Sequence, residues 1–97
     1  MADRLIFRVH AVQRMYEHRI SERDVREILT AGDTIDQYLD GPPYPSRLVL
    51  GWCREQALHL VIADNTEAHE IVVITVDEPD PAVWEPGFRQ RRRPWNA

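Results

Sequence analysis

The sequence predicts a small α+β domain in which two N-terminal helices pack on a three- to five-stranded antiparallel sheet. Its 97 residues suffice for one domain. Apolar residues recur at helical spacing in the first third of the chain, and β-branched or continuous apolar runs follow. Hydrophobic residues make up 43% and charged residues 29%, the proportions of an ordinary globular protein rather than a disordered chain.

The first helix is predicted over residues 10–18, after a short strand at residues 5–9. Three apolar side chains recur along this helix at helical spacing: Val12, Met15 and Tyr16. Three basic side chains align on another of its faces: His10, Arg14 and His18.

The second helix has clear start and stop signals. Ser21 is a good N-cap, and Asp24 three residues later completes a capping box. Its apolar stripe consists of Val25, Ile28 and Leu29. Gly32 is predicted to end the helix by adopting the left-handed conformation that only glycine adopts at little cost.

Strands are predicted over residues 34–39, 46–54, 57–63 and 70–76, with a proline-rich loop between the first two. A two-residue turn at Glu55-Gln56 would place Trp52 opposite His59. One face of this hairpin is then almost wholly apolar and suits packing under the helices: Val49, Gly51, Cys53, Leu58, Leu60 and Ile62. The other face carries Leu48, Leu50, Trp52, His59, Val61 and Ala63. A slip of one residue would exchange the two faces.

The continuous apolar run of the last strand predicts a central strand, covered on both faces. After it, Trp84 and Phe88 are expected to hold the following segment against the body. We therefore predict one domain over residues 1–88 and a basic tail over residues 89–97.

Composition narrows the classes of function. The net charge of −4 argues against nucleic-acid binding by a general basic surface, although all twelve basic residues are arginines, which suit phosphate. A single cysteine, Cys53, cannot form an intramolecular disulfide, and no segment has the pattern of a signal peptide or membrane span. We therefore expect a cytoplasmic protein without metal, cofactor or membrane contact.

Short blocks along about residues 6–92 resemble a bacterial domain-of-unknown-function family often encoded beside small zinc-finger antitoxins. The blocks are His10-Ala11, Arg14-Met15, His18-Arg19-Ile20-Ser21, Pro45-Ser46-Arg47-Leu48-Val49-Leu50-Gly51, Leu58-His59-Leu60-Val61, Ile74-Thr75-Val76, Glu78-Pro79-Asp80-Pro81, Trp84 and Phe88-Arg89-Gln90-Arg91. The resemblance implies a toxin with a fold similar to RelE-type and barnase-like ribonucleases, which cleave RNA without metal and are held inactive by an antitoxin.

The resemblance also implies site residues. The positions that match the family's polar motif are His10, Arg14, Arg19 and His59. At position 77 the pattern leads us to expect a tyrosine, whereas this chain has Asp77. If that tyrosine contributes to chemistry in relatives, the substitution bears directly on activity here.

The matching residues suit metal-independent RNA cleavage. Such cleavage needs a base for the ribose 2′-hydroxyl, cations for the phosphorane-like transition state and an acid for the leaving 5′-oxygen. Histidine serves as base or acid and arginine binds phosphate. We therefore predict His10, His59, Arg14 and Arg19 as catalytic. Three further residues are predicted to bind substrate: Trp52, Thr75 and Arg89.

Each of these residues also has a structural interpretation. His59 can be a satisfied strand histidine, His10 a helix cap, and the two arginines partners of nearby carboxylates. The whole chain can likewise be a non-catalytic, toxin-like module that binds a protein or nucleic acid. In either case we expect a cognate antitoxin, with an acidic segment, to bind the C-terminal arginines or an open sheet edge.

Overall fold

The computed structural model describes residues 3–38 and 45–93 and confirms the α+β class. Its elements in chain order are β1 (Arg4–Phe7), α1 (Val9–His18), α2 (Glu22–Ala31), β2 (Asp33–Tyr38), β3 (Ser46–Cys53), β4 (Gln56–Asn65) and β5 (Glu70–Asp77). These strands form one sheet in the order β1-β5-β4-β3-β2. The predicted loop lies, apart from Pro45, outside the described residues, as does Leu39. Neither α1 nor α2 is long and apolar enough to cross a membrane.

The sheet is mixed, so the prediction of a wholly antiparallel sheet was wrong in one pairing. β1 runs parallel to β5, with Leu5 opposite Ile71 and Phe7 opposite Val73. The pairings of β2 with β3, β3 with β4 and β4 with β5 are antiparallel. The direction of β1 was not predictable because its partner lies near the other end of the chain, and no turn in the sequence connects them.

The predicted start of α2 is confirmed. The Ser21 hydroxyl accepts a hydrogen bond from the Asp24 N–H, and the Asp24 carboxylate accepts one from the Ser21 N–H, at 3.0 and 2.9 Å. Val25 and Ile28 are buried, and Leu29 packs against the same core.

Gly32 ends α2, but its conformation is extended, with φ −79° and ψ 174°, not left-handed as predicted. Glycine is required at this position because a larger side chain would not fit. A Cβ at Gly32 would lie 2.6 Å from the Leu50 carbonyl oxygen, and a Cβ at Gly51 would lie 2.3 Å from Ile28 Cγ2. The two glycines therefore allow α2 to lie directly against β3.

The apolar stripe predicted for α1 is only partly buried. Ala11 and Met15 face the core, whereas Val12 and Tyr16 are exposed. A narrow stripe suffices because α1 packs over β5, close to the edge of the sheet. Arg19 then ends α1 in the left-handed conformation, with φ 57°.

The hairpin turn lies at Arg54-Glu55, both with positive φ, rather than at Glu55-Gln56. Leu50 is therefore opposite His59, and Trp52 is opposite Ala57. Each predicted pair is displaced by two positions, and an even displacement keeps every side chain on its predicted face. The face predicted to lie under the helices is in the core: Val49, Cys53, Leu58, Leu60 and Ile62 are buried there.

The other face of the sheet is partly covered by residues 79–93, which we call the C-terminal strap. Within the strap, Glu85 N–H donates to the Gln90 carbonyl, and Arg92 N–H donates to the Val83 carbonyl. Trp84 is buried against the sheet, as predicted. The strap is thus a folded turn with its own backbone hydrogen bonds.

The contact of Gly51 with Ile28 makes a testable prediction about stability. We expect Gly51→Ala to lower the free energy of unfolding by about 1–3 kcal/mol, because the added methyl overpacks the helix–sheet contact. Ile28→Ala removes the Cγ2 atom that the methyl would strike. In denaturant unfolding, the cost of Gly51→Ala should therefore be smaller in the Ile28→Ala background. Additive costs would contradict this account.

Candidate functional site

His59 lies at the centre of the sheet face that carries the strap. β4 places it opposite Leu50 on β3 and opposite Asp77 on β5. Its side chain is only 6% exposed. The indole of Trp84 stands edge-on to the imidazole, with 4.4 Å between the ring centroids. An ionisable group is thus buried among apolar neighbours, beneath a residue of the strap.

The hydrogen bond of His59 determines its tautomer. Nε2 lies 2.9 Å from the Phe88 carbonyl oxygen, which can only accept, so Nε2 carries the hydrogen. In the neutral form the lone pair is then on Nδ1, for which no partner exists among the described residues. Burial lowers the pKa of His59, and Arg91 lowers it further, against the Phe88 carbonyl and Asp77, which raise it. His59 is therefore a neutral proton acceptor at physiological pH.

A cavity of about 270 Å³ opens beside His59, between the sheet and the strap. Thr75, predicted to bind substrate, lines it together with Tyr38, Asp77 and Arg91. The guanidinium of Arg91 lies 4.8 Å above the centre of the Trp84 ring. A proton acceptor, two hydroxyls and a cation therefore share one cavity, which we call the His59 cavity.

Arg14 of α1 does not line this cavity itself but pairs with Asp77, which does. Its Nε donates to the Asp77 carboxylate at 2.7 Å, and one terminal nitrogen lies 3.3 Å from Glu17. The hydrogen bond to Asp77 raises the pKa of Arg14. Asp77 is the cross-strand neighbour of His59, so this ion pair brings the predicted Arg14 towards the predicted His59 without a direct contact between them.

The structure does not place His10 or Arg19 at the His59 cavity. His10 is exposed one helical turn before Arg14, and its imidazole has no hydrogen bond or ion pair among the described residues. Arg19 lies by the β3–β4 turn, where its carbonyl oxygen accepts a hydrogen bond from Arg54 at 2.5 Å. Neither residue lines the cavity.

Trp52 and Arg89 lie together in a different pocket, on the other side of Phe88. The Trp52 indole is 58% exposed, and its centroid is 6.2 Å from that of the Phe88 ring. The Arg89 guanidinium pairs with Asp33. Both side chains line a pocket of about 240 Å³, which we call the Trp52 pocket. The predicted substrate-binding residues therefore divide between two cavities.

Sequence reasoning missed three residues of the His59 cavity: Tyr38, Trp84 and Arg91. Trp84 was expected only to pack, and Arg91 was placed in a tail. Trp84 and Arg91 reach the cavity only because the strap folds back over the sheet. The proline-rich sequence of the strap has no periodicity that would predict this fold. The signal for Tyr38 was the alternation of β2, which places it on the same face as His59.

The described residues offer neither a metal centre nor a reactive thiol. Over residues 3–38 and 45–93, no group of three or more His, Cys, Asp or Glu side chains is arranged to hold a metal ion. Cys53 is buried on the helix side of the sheet, and burial raises the pKa of its thiol. As expected from its face, this thiol is poorly suited to be a nucleophile.

The fold and the cavity define a small α+β domain with a buried neutral histidine and adjacent arginines. The model of a family described as domain of unknown function (DUF4258) matches residues 7–77, most of the chain, which therefore belongs to that family. Searches of curated proteins and of solved structures found no significant match. The matched region ends at Asp77, so the strap that covers His59 lies beyond it.

The lowered pKa of His59 predicts how stability depends on pH. Below the ordinary value of about 6.5 the unfolded chain takes up a proton at this site before the folded chain does. The wild type should therefore lose stability as the pH falls from 6.5 through the folded pKa, and gain nothing from this site above pH 7.5. Thermal melts at several pH values test this against His59→Gln, which still donates to Phe88 but cannot titrate. Parallel pH curves for the two proteins would contradict it.

Proposed function

We propose that this chain is a metal-independent endoribonuclease that acts as the toxin of a bacterial toxin–antitoxin pair. One observation carries the enzymatic part: a neutral histidine, oriented by a backbone carbonyl, faces a cavity that also holds hydroxyls and a guanidinium. The toxin part rests on the residues that resemble the toxin-like family.

His59 is the proposed general base. Its Nε2 hydrogen bond to the Phe88 carbonyl holds the ring in one orientation and leaves the Nδ1 lone pair to take a proton. Burial keeps the imidazole neutral, which is the state that a base requires before reaction. An imidazole held in this way is typical of acid–base sites, where a second group fixes the tautomer.

Arg14 and Arg91 are the proposed phosphate ligands. Arg91 stacks on Trp84 and forms no ion pair among the described residues, so its hydrogen-bond donors are available to an anion. Arg14 gives Nε to Asp77 but has further N–H groups on the same fork. Two guanidinium groups would stabilise the charge that develops on the phosphorane-like transition state.

The proposed step is an in-line transesterification. His59 Nδ1 takes the 2′-hydroxyl proton while the 2′-oxygen attacks the adjacent phosphorus. The P–O5′ bond breaks, a 2′,3′-cyclic phosphate forms, and the 5′-oxygen takes a proton from the hydroxyl of Tyr38. The proton on His59 returns to Tyr38 through solvent, so the net transfer is from the 2′-hydroxyl to the 5′-oxygen. Thr75 would hold a non-bridging phosphate oxygen.

A second candidate is a non-catalytic module that binds a protein or nucleic acid. The observation that favours it is Asp77, which stands where a tyrosine was expected and pairs with Arg14. Glu78 and Asp80 also line the cavity, so carboxylates outnumber guanidinium groups there. On this alternative the cavity would bind a ligand and leave RNA intact.

The proposed partner is a cognate antitoxin, of zinc-finger type by the resemblance. Arg93 is exposed and, like Arg91 and Arg92, forms no ion pair among the described residues. These side chains offer an acidic segment of the antitoxin a cationic surface next to the cavity. Binding there would block access to His59. The predicted sites at His10 and Arg19 lie outside the cavity and remain predictions.

We expect His59→Gln to abolish toxicity and RNA cleavage while the protein stays folded. Loss of a general base typically lowers a rate by about 10²–10⁴-fold. Arg14→Ala should also lower the rate. The measurements are growth and total RNA integrity after tightly controlled induction, with and without the neighbouring gene. Cleavage of a labelled single-stranded RNA by the purified protein in EDTA, with a 2′,3′-cyclic phosphate end, completes the test.

Two matched variants control this experiment. His69→Asn removes an exposed imidazole from the β4–β5 turn, where φ is 54°, a conformation that asparagine tolerates. Arg4→Ala removes an exposed guanidinium that pairs with Glu70. Both should leave activity unchanged. Intact RNA and normal growth with folded wild-type protein would reject the nuclease and favour the binding module.

A further inference from the structure

The Trp52 pocket lies between the C-terminal end of α2 and the strap. Its floor is apolar and close to the backbone, because Gly51 and Leu50 of β3 and Ile28 of α2 form it. The indole of Trp52 forms one wall and is more than half exposed. A single exposed apolar side chain is ordinary on a protein surface, but one that walls a concave apolar pocket is typical of a ligand site.

A flat aromatic wall suits a flat ligand. Phe88 meets the Trp52 ring at 56°, so the two rings are not stacked, and more than half of the Trp52 surface remains exposed. Nucleobases stack on such faces with little regard for sequence, since every base has a π-face. The pocket of about 240 Å³ is large enough to admit one base and too small for an extended chain.

The rim of the pocket selects among the bases. Glu27 and Asp33 line it, and a carboxylate can only accept hydrogen bonds. Guanine presents two adjacent donors, N1–H and the N2 amino group, which match one carboxylate. Adenine and cytosine present one amino group beside a ring nitrogen that accepts hydrogen bonds, and uracil presents one N–H between two carbonyl groups. Each of these bases would therefore place a hydrogen-bond acceptor next to the carboxylate, which is unfavourable. Glu27 is available because its pairing with Arg23, at 3.6 Å, is exposed to solvent.

Arg89 supplies a cation at the same rim. One of its terminal nitrogens pairs with Asp33, which leaves other N–H groups of the guanidinium for a phosphate. Trp52 is also the diagonal neighbour of His59 across β3 and β4, a separation of about 7–8 Å between backbones. Phe88 contacts both residues, with its ring on Trp52 and its carbonyl on His59.

We infer that the Trp52 pocket binds a guanine nucleotide of single-stranded RNA, with the base stacked on Trp52, its donor edge on Glu27 and its phosphate on Arg89. The RNA context rests on the proposed function, since the pocket would then hold a base next to the scissile linkage at His59. The recognition of guanine rests on the pocket alone.

Calorimetric titration of the His59→Gln protein with the four nucleoside 5′-monophosphates tests the base. We expect GMP to bind at least about tenfold more tightly than AMP, CMP or UMP, the discrimination of one bidentate contact. Glu27→Gln should remove most of this preference for GMP. Trp52→Ala should lower the affinity for all four nucleotides, and Trp52→Phe should restore part of that affinity. The controls are Tyr16→Ala, an aromatic that is 86% exposed on α1, and Glu67→Gln in the β4–β5 turn. Equal affinities for the four nucleotides, or no effect of Trp52→Ala, would overturn the assignment.

Oligonucleotides distinguish the source of the nucleotide. A single-stranded RNA that contains one guanosine should bind the His59→Gln protein more tightly than GMP, and it should lose the advantage when guanosine becomes adenosine. If GMP binds as tightly as the RNA, the ligand is a free guanine nucleotide and the RNA assignment fails. Because His59→Gln is used throughout, binding is measured without cleavage. A guanine preference in a protein that never cleaves RNA would therefore contradict the nuclease proposal alone.

Discussion

The centre of the sheet is apolar on both faces, and much of the structure follows from the need to cover both. Val49 and Leu58 face the helices, while Leu48 and Leu50 point to the other side and are also buried. A sheet of this kind is unstable with either face open to water. α1 and α2 cover the first face, and on the second the strap contributes Trp84. His59 occupies that second face, so the packing that protects the sheet also buries an imidazole and lowers its pKa.

The parts of the fold that local chemistry determines were predictable from the sequence. The capping box at Ser21 depends on neighbours within a few residues. The apolar run of β5 correctly predicted a strand between two others, but most of its side chains are only half-buried, so the predicted coverage of both faces is incomplete. Register and direction depend on more distant contacts. The turn at Arg54-Glu55 contains no glycine or asparagine to mark its two positive φ values, so its position was misjudged. Gly32 was identified as a stop for the wrong reason, because the need for glycine comes from crowding by two carbonyl oxygens, that of Ile28 in the preceding turn and that of Leu50 on β3.

The candidate site likewise contains residues that the sequence predicted and residues that only the folded chain brings together. His59 was predicted from the family resemblance and Thr75 from its hydroxyl, and both line one cavity. His10 was predicted from the same resemblance and aligns with Arg14 on α1, but alignment on a helix does not determine how far a side chain lies from the sheet. Arg91 and Trp84 were missed as site residues because only the folded strap brings them to His59. A family model that ends at Asp77 does not include them either.

The proposed phosphate chemistry operates beside carboxylates, each of which accepts a hydrogen bond within the protein, with a cationic donor at Asp77. Asp77 accepts from Arg14, Glu78 accepts from Gln56, and Asp80 accepts from the Ala82 N–H. Arg91, by contrast, stacks on the Trp84 ring and pairs with no carboxylate among the described residues. Its N–H groups can therefore bind an anion. The pair of Arg14 and Asp77 is partly exposed, so solvent screens it and a phosphate can compete for the guanidinium. On this reasoning Asp77 orients Arg14, whose guanidinium is charged at any physiological pH, towards the proposed base. The aspartate thereby becomes a positioning residue for an arginine, a role different from any chemistry that a tyrosine would perform at the same position.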